Sequence, residues 1–88
     1  MAPKKRKSRN VMGLDTLEEQ ARALNMATTA YNSAVEALNT GEIIPFVYWS
    51  GYLASSRDLA MDEGAYGLAD NVKTMIQDLR DRSGMDLG

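Results

Sequence analysis

The chain has 88 residues, a formal net charge of -2 at pH 7, and neither cysteine nor histidine. This length leaves room for one domain, and the composition excludes disulfides, the common structural zinc sites and histidine-dependent catalytic triads. We therefore expect a protein that is not an enzyme, binds no metal or cofactor, and gains stability from oligomerisation or from a larger partner, because small monomers are marginal.

Positive charge is concentrated at the N-terminus. Five of the ten lysines and arginines fall in the first ten residues: Lys4, Lys5, Arg6, Lys7 and Arg9. The other five stand against twelve acidic residues, so residues 11–88 carry a net charge of -7. Residues 1–12 are polar and charged, which predicts a disordered basic arm. Residues 13–88 are predicted to form a single small helical domain.

The arm is the strongest functional feature of the sequence. Its segment Pro3-Lys4-Lys5-Arg6-Lys7 resembles the monopartite nuclear localisation signals read by importins, which implies a nuclear address. The same cations suit phosphate groups, because each one that neutralises a phosphate releases counterions without reading base sequence. We predict non-specific binding of nucleic acid or another polyanion by the arm, with a localisation signal and a solubilising tail as alternatives.

The first predicted helix covers residues 15–40, with Asp15 as its N-cap, Glu18 completing a capping box, and Gly41 ending it. Two rows share the helical 3-and-4 spacing. One is the stripe Leu17, Ala21, Leu24, Thr28, Tyr31, Val35 and Leu38, and the other is the small-residue row Ala23, Ala27, Ala30, Ala34 and Ala37. The alanine row predicts a close approach by another helix.

The second predicted helix begins at Pro45. Residues 42–44 are predicted to be extended or turning, because the residue before a proline is disfavoured in helical geometry. The helix carries Phe46, Trp49, Leu53 and Ala60 on one side, Tyr48, Tyr52 and Leu59 alongside, and Arg57, Asp58 and Asp62 facing water. Gly64 and Gly67 predict a break near residues 63–67.

A third helix follows, and it ends at Ser83-Gly84 with Met85 folding back on the last turn. Its apolar face consists of Leu68, Val72, Met75, Ile76 and Leu79. Because the sequence lacks the period-2 alternation of strands, we predict an all-α fold with a long first helix and two shorter helices. Either a helical hairpin or an irregular three-helix bundle fits this pattern.

A further resemblance is carried by Trp49-Ser50-Gly51, together with Tyr66 and Asp70. The pattern resembles the small helical hairpins exported by type VII secretion, which have Trp-x-Gly at the turn between two helices and a Tyr-x-x-x-Asp/Glu signal. The resemblance implies an exported hairpin with Trp49 at a turn. Alternatively, Trp49 lies within a helix and anchors a core or an interface.

No catalytic or phosphate-binding motif is present, and the adjacent carboxylates Glu18-Glu19 and Asp62-Glu63 indicate solvated helix surface and not an acid–base pair. We predict no small-molecule substrate. The sequence shows neither a signal-peptide pattern nor an apolar run long enough to span a membrane, which favours an intracellular or virion location.

The sequence thus predicts a non-catalytic structural or assembly protein, a homo-oligomer or part of a larger complex. Its most concrete version is a small virion component whose arm contacts nucleic acid. The predicted protein-interface residues are Leu24, Tyr31, Phe46, Trp49 and Tyr52. The alternatives are a nuclear or regulatory adaptor, with the arm as localisation signal, and the exported hairpin.

Overall fold

A computed structural model describes residues 16–85, which form three α-helices and no strand. They are α1 (Leu17–Thr40), α2 (Ile43–Asp62) and α3 (Tyr66–Ser83). Short connections place successive helices antiparallel, and α3 also packs on α1, which closes a three-helix bundle. The predicted all-α fold, with a long first helix and two shorter ones, is confirmed. The predicted arm, residues 1–12, lies outside the described residues.

The start of α1 is held by a capping box one residue later than predicted. The Thr16 hydroxyl accepts a hydrogen bond from the Glu19 backbone N–H at 3.0 Å, and the Glu19 carboxylate accepts one from the Thr16 N–H at 3.1 Å. The prediction of Glu18 in this role was wrong, because Thr16 is the N-cap and the residue three positions after it is Glu19. Glu18 instead lies 3.5 Å from Arg22, one turn later. Asp15, the predicted cap, lies outside the described residues.

The alanine row of α1 is its buried face. Ala27, Ala30, Ala34 and Ala37 are all at most 4% exposed, whereas Leu24, Tyr31, Val35 and Leu38 are only partly buried and Leu17 is 83% exposed. Alanine lets a neighbouring backbone approach closely because its side chain ends at Cβ. Large side chains from the other helices then fill the centre of the bundle: Phe46, Leu53, Val72 and Leu79.

The start of α2 lies two residues earlier than predicted. Glu42 is the N-cap, and Ile43 and Ile44 are already helical. The expectation of an extended segment was wrong because Pro45 lies in the first turn of the helix. In the first turn a backbone N–H has no helical partner, so the missing N–H of proline costs no hydrogen bond. The carbonyl with which the proline ring would clash belongs to a residue before the helix. The Phe46 N–H donates to the Glu42 carbonyl at 3.2 Å.

The predicted helix ends are confirmed at three places. Gly41 and Gly84 terminate α1 and α3 in the left-handed conformation, with φ of 76° and 71°. Gly64, with φ of 79°, lies in the predicted break between α2 and α3. Gly67, the other predicted interruption, is helical within α3. Met85 packs against the core after the last helix. Within residues 16–85, none of the helices combines the length and hydropathy needed to cross a membrane.

A bulkier side chain in the alanine row should push the helices apart. We expect Ala34→Leu, at a position with no exposed surface, to lower the free energy of unfolding by about 1–3 kcal/mol. The matched control is Ala21→Leu at an exposed position of the same helix, which should be nearly neutral. Urea unfolding followed by circular dichroism measures both, and equal effects would contradict a close helix approach at Ala34.

The bundle also buries one polar side chain without a partner. Ser50 of α2 is 6% exposed, and its hydroxyl oxygen makes no hydrogen bond to any of the described residues. A buried hydroxyl that lacks a partner loses its hydration without compensation, which destabilises the folded state by about 1–3 kcal/mol.

We therefore expect Ser50→Ala to raise the free energy of unfolding by about 1 kcal/mol or more, since it removes the unpaired hydroxyl and improves helix propensity. Asn32→Ala, at an exposed position of α1, improves only propensity and should add about 0.5 kcal/mol. Thermal and urea unfolding of the two variants give the comparison. A Ser50→Ala variant less stable than wild type would show that this hydroxyl has a stabilising partner.

Candidate protein interface on the second helix

The second helix has more apolar surface than the bundle covers. Residues 43–56 contain no charged side chain, and the bundle buries only one side of the helix, where Phe46 and Leu53 lie. Within residues 43–56, four large apolar side chains remain exposed: Ile43 at 53%, Ile44 at 82%, Val47 at 48% and Tyr48 at 64%. A helical segment that is apolar around its circumference is normally enclosed on all sides, whereas residues 43–56 keep apolar surface that the bundle does not cover.

Five residues on the uncovered side follow the 3-and-4 spacing of a single helix face: Ile44, Val47, Tyr48, Gly51 and Ser55, here called the outer face. All five are exposed. At Gly51 an added Cβ would meet no atom of the described residues within 4 Å. Packing within the bundle therefore does not require glycine here, although glycine in a helix interior is destabilising by about 0.5–1 kcal/mol relative to alanine.

A groove between α1 and α2 adjoins the outer face. It has a volume of about 240 Å³ and is lined by Met26, Thr29, Tyr48, Trp49 and Tyr52, here called the aromatic groove. The Trp49 ring meets Tyr48 edge to face at a centroid distance of 4.8 Å and Tyr52 at 6.1 Å. Such edge-to-face contacts are favourable. Because Tyr48 belongs to both surfaces, the groove and the outer face are continuous.

The chemistry of the aromatic groove suits apolar side chains of a protein. Its lining carries no charge, and its volume lies below the roughly 300–1,000 Å³ of typical small-molecule pockets. Met26 forms one wall and is 51% exposed, and an unbranched thioether adapts readily to the shape of a partner. The Thr29 hydroxyl already donates to the Asn25 carbonyl at 3.1 Å. The groove therefore offers aromatic surface with one adaptable edge, which Met26 forms.

The predicted interface residues lie in different parts of the structure. Trp49 and Tyr52 lie together in the aromatic groove. Leu24 lines a different groove of about 270 Å³, between the start of α1 and the start of α3. Tyr31 faces α3, and Phe46 is completely buried in the chain's own core, so its side chain offers no surface to a partner in this fold.

Sequence reasoning missed Ile44, Gly51 and Met26 as surface features of this site, although the uncharged run over residues 43–56 was a usable signal. The turn at Trp49-Ser50-Gly51 that the resemblance to exported hairpins implies is contradicted, because these residues lie in the middle of α2. The alternative, in which Trp49 lies within a helix, is confirmed. Arg57 was expected to face water, but its side chain is only 23% exposed beside Asp58. The predicted polyanion-binding residues Lys4, Lys5, Arg6, Lys7 and Arg9 lie outside the described residues.

Tyr31, Asp78 and Arg82 form a hydrogen-bonded cluster between α1 and α3, here called the clasp. The Tyr31 hydroxyl donates to the Asp78 carboxylate, which also accepts from the Arg82 guanidinium at 2.6 Å. These two hydrogen bonds, from Tyr31 first and then Arg82, lower the pKa of Asp78. The hydrogen bond to Asp78, aided by burial, raises the pKa of Tyr31. The clasp therefore depends on an ionised Asp78 and a neutral Tyr31.

The clasp should make stability depend on pH in both directions. Because the folded-state pKa of Asp78 is lowered from 3.8, its contribution is present at neutral pH and is lost as the pH falls below that value. The folded-state pKa of Tyr31 is raised from 10.0, so its contribution is present below pH 10 and is lost as the pH rises through the raised value.

We expect Tyr31→Phe to flatten this profile, so that its stability falls less than that of the wild type between pH 7 and pH 3. Tyr66→Phe, at a tyrosine that is 62% exposed, provides the control and should keep the wild-type profile. Urea unfolding at a series of pH values measures the effect. Parallel profiles for Tyr31→Phe and the wild type would contradict the role of the clasp.

Within residues 16–85, no three acidic side chains are grouped so that they could hold a metal ion. Comparison of the chain with protein-family models, with curated proteins and with solved structures finds no match. The surface of α2 and the charge distribution along the chain are therefore the grounds on which a function can be proposed.

Proposed function

We propose that this chain is a non-catalytic assembly protein, which contacts protein through α2 and nucleic acid through its basic N-terminal residues. The observation that carries the proposal is the outer face, where Ile44, Val47 and Tyr48 are exposed side by side. Contiguous exposed apolar surface marks interaction sites, and aromatic residues are frequent interface anchors. A virion, or another large complex that holds nucleic acid, is the most concrete setting.

The charge distribution supports a division of roles along the chain. Residues 11–88 carry a net charge of -7 and would repel a phosphate backbone. The five cations of residues 4–9 carry the opposite sign, so nucleic acid would be held at the N-terminus and kept away from the bundle. The uncharged stretch of α2 is then the part of the domain that another protein can approach without electrostatic repulsion.

Fluorescence anisotropy with a labelled DNA duplex tests the nucleic-acid role. If all five cations contact phosphates, the logarithm of the affinity should fall with the logarithm of salt concentration with a slope of about -4 to -5. Replacing Lys4, Lys5, Arg6, Lys7 and Arg9 by glutamine should abolish the binding. The matched control replaces Arg22 and Lys73, two exposed cations of the bundle, by glutamine and should bind DNA as the wild type does.

Absence of DNA binding by the full chain, or unchanged binding by the five-residue variant, would contradict the nucleic-acid role. The second candidate function is a nuclear adaptor, favoured by the resemblance of Pro3-Lys4-Lys5-Arg6-Lys7 to importin-read signals. Binding to an importin in place of DNA, lost in the same variant, would select that candidate. The exported hairpin is not proposed further, because Trp49-Ser50-Gly51 lies inside a helix.

A further inference from the structure

We infer that the occupant of the outer face is the α2 helix of a second copy of this chain, packed antiparallel across a two-fold axis, with Tyr48 of each copy over Gly51 of the other. The inference rests on the proposed role of α2 as a protein-binding surface, and it adds the identity of the partner and the geometry of the contact.

Gly51 leaves a gap on the outer face. It lies in a helix interior, on an exposed face, with open space around the position of a Cβ. Glycine in a helix interior is less stable than alanine, yet it lets the backbone of another helix approach closely. Tyr48, one turn earlier on the same face, is 64% exposed and large enough to cover that gap. Two-fold symmetry makes this fit occur twice, because each copy presents both the ring and the gap.

The length of the uncharged stretch sets the register. When two α2 helices run antiparallel about a centre between residues 49 and 50, residue 48 faces residue 51 of the second copy and residue 44 faces residue 55. The uncharged residues 43–56 then face one another along their whole length, about 21 Å at 1.5 Å per residue. Two acidic domains can therefore meet along this line without placing carboxylates in opposition.

Charges at the ends of the stretch complement this register. The ion pair of Arg57 and Asp58, 3.2 Å apart, comes to the N-terminal end of α2 in the second copy. That end carries Glu42, whose side chain makes no capping hydrogen bond, and its first turn has no acidic residue. Asp58, whose side chain is 71% exposed, then lies near the positive end of the helix dipole of the second copy.

Sedimentation equilibrium of the full chain tests the pairing, and we expect a dimer in reversible equilibrium with monomer. Gly51→Leu should weaken the dimer by at least about tenfold, since the new side chain blocks the approach of the second helix. It should leave the bundle folded, because space within the chain is open at this position. Gly67→Leu is the matched control: that glycine is also exposed, helical and open around Cβ, but it lies on α3, so the dimer should persist.

Pulsed electron spin resonance tests the direction of the helices. Since the chain has no cysteine, Asp62→Cys accepts a single spin label at an exposed site near the end of α2. In the antiparallel register the two labels should lie roughly 35–40 Å apart, whereas a parallel pair would bring them to within about 10 Å, apart from the length of the label.

A monomer at every concentration, a short distance between labels, or a Gly51→Leu variant that remains dimeric would each overturn the pairing. The DNA titration of the same samples separates this result from the proposed function. A monomer that binds DNA through residues 4–9 leaves the nucleic-acid role intact while the inference fails. A dimer that ignores DNA supports the inference and contradicts that role.

Discussion

The close approach of α2 and α3 to the alanine face of α1 is the contact on which the rest of the structure depends. Ala30 and Ala34 have no exposed surface, and each contributes little apolar area of its own. Most of the buried area must therefore come from side chains that reach across from the other two helices, such as Phe46, Leu53 and Leu79. In each of these two helices the largest side chains therefore point toward the narrow centre of the bundle, and this determines how the helix is rotated about its own axis.

That orientation creates the outer face. A helix in a three-helix bundle buries about one side, and α2 has apolar or aromatic side chains on the remaining sides as well. When Phe46 and Leu53 turn inward, Tyr48 and Val47 must turn outward, since they lie on the opposite side of the same helix. The small core and the exposed outer face therefore have the same cause, which is the rotation of α2 in the bundle. A small domain of this kind gains stability when a partner covers such a face.

Charge separates the surfaces that the proposed function requires. Residues 11–88 carry a net charge of -7, α2 is uncharged over residues 43–56, and five cations fall within residues 4–9. Electrostatics then favours different partners at different places: phosphates at residues 4–9 and uncharged protein surface at α2. Close packing at Gly51 would also select partners by shape, because only a partner whose backbone can approach Gly51 closely makes full contact with the outer face.

Periodicity and turn residues in the sequence were sufficient to predict the three helices, the stop at Gly41, the break near residues 63–67 and the packable alanine row. These features depend on local geometry, which short-range spacing encodes. The sequence alone could not decide which side of α2 faces inward, because a helix that is apolar all round has no preferred side. Nor could it pair Tyr31 with Asp78, 47 residues later. Only the packing of three helices decided that Phe46 lies in the core, that Tyr48 lies on the surface, and that Gly51 is exposed on the outer face.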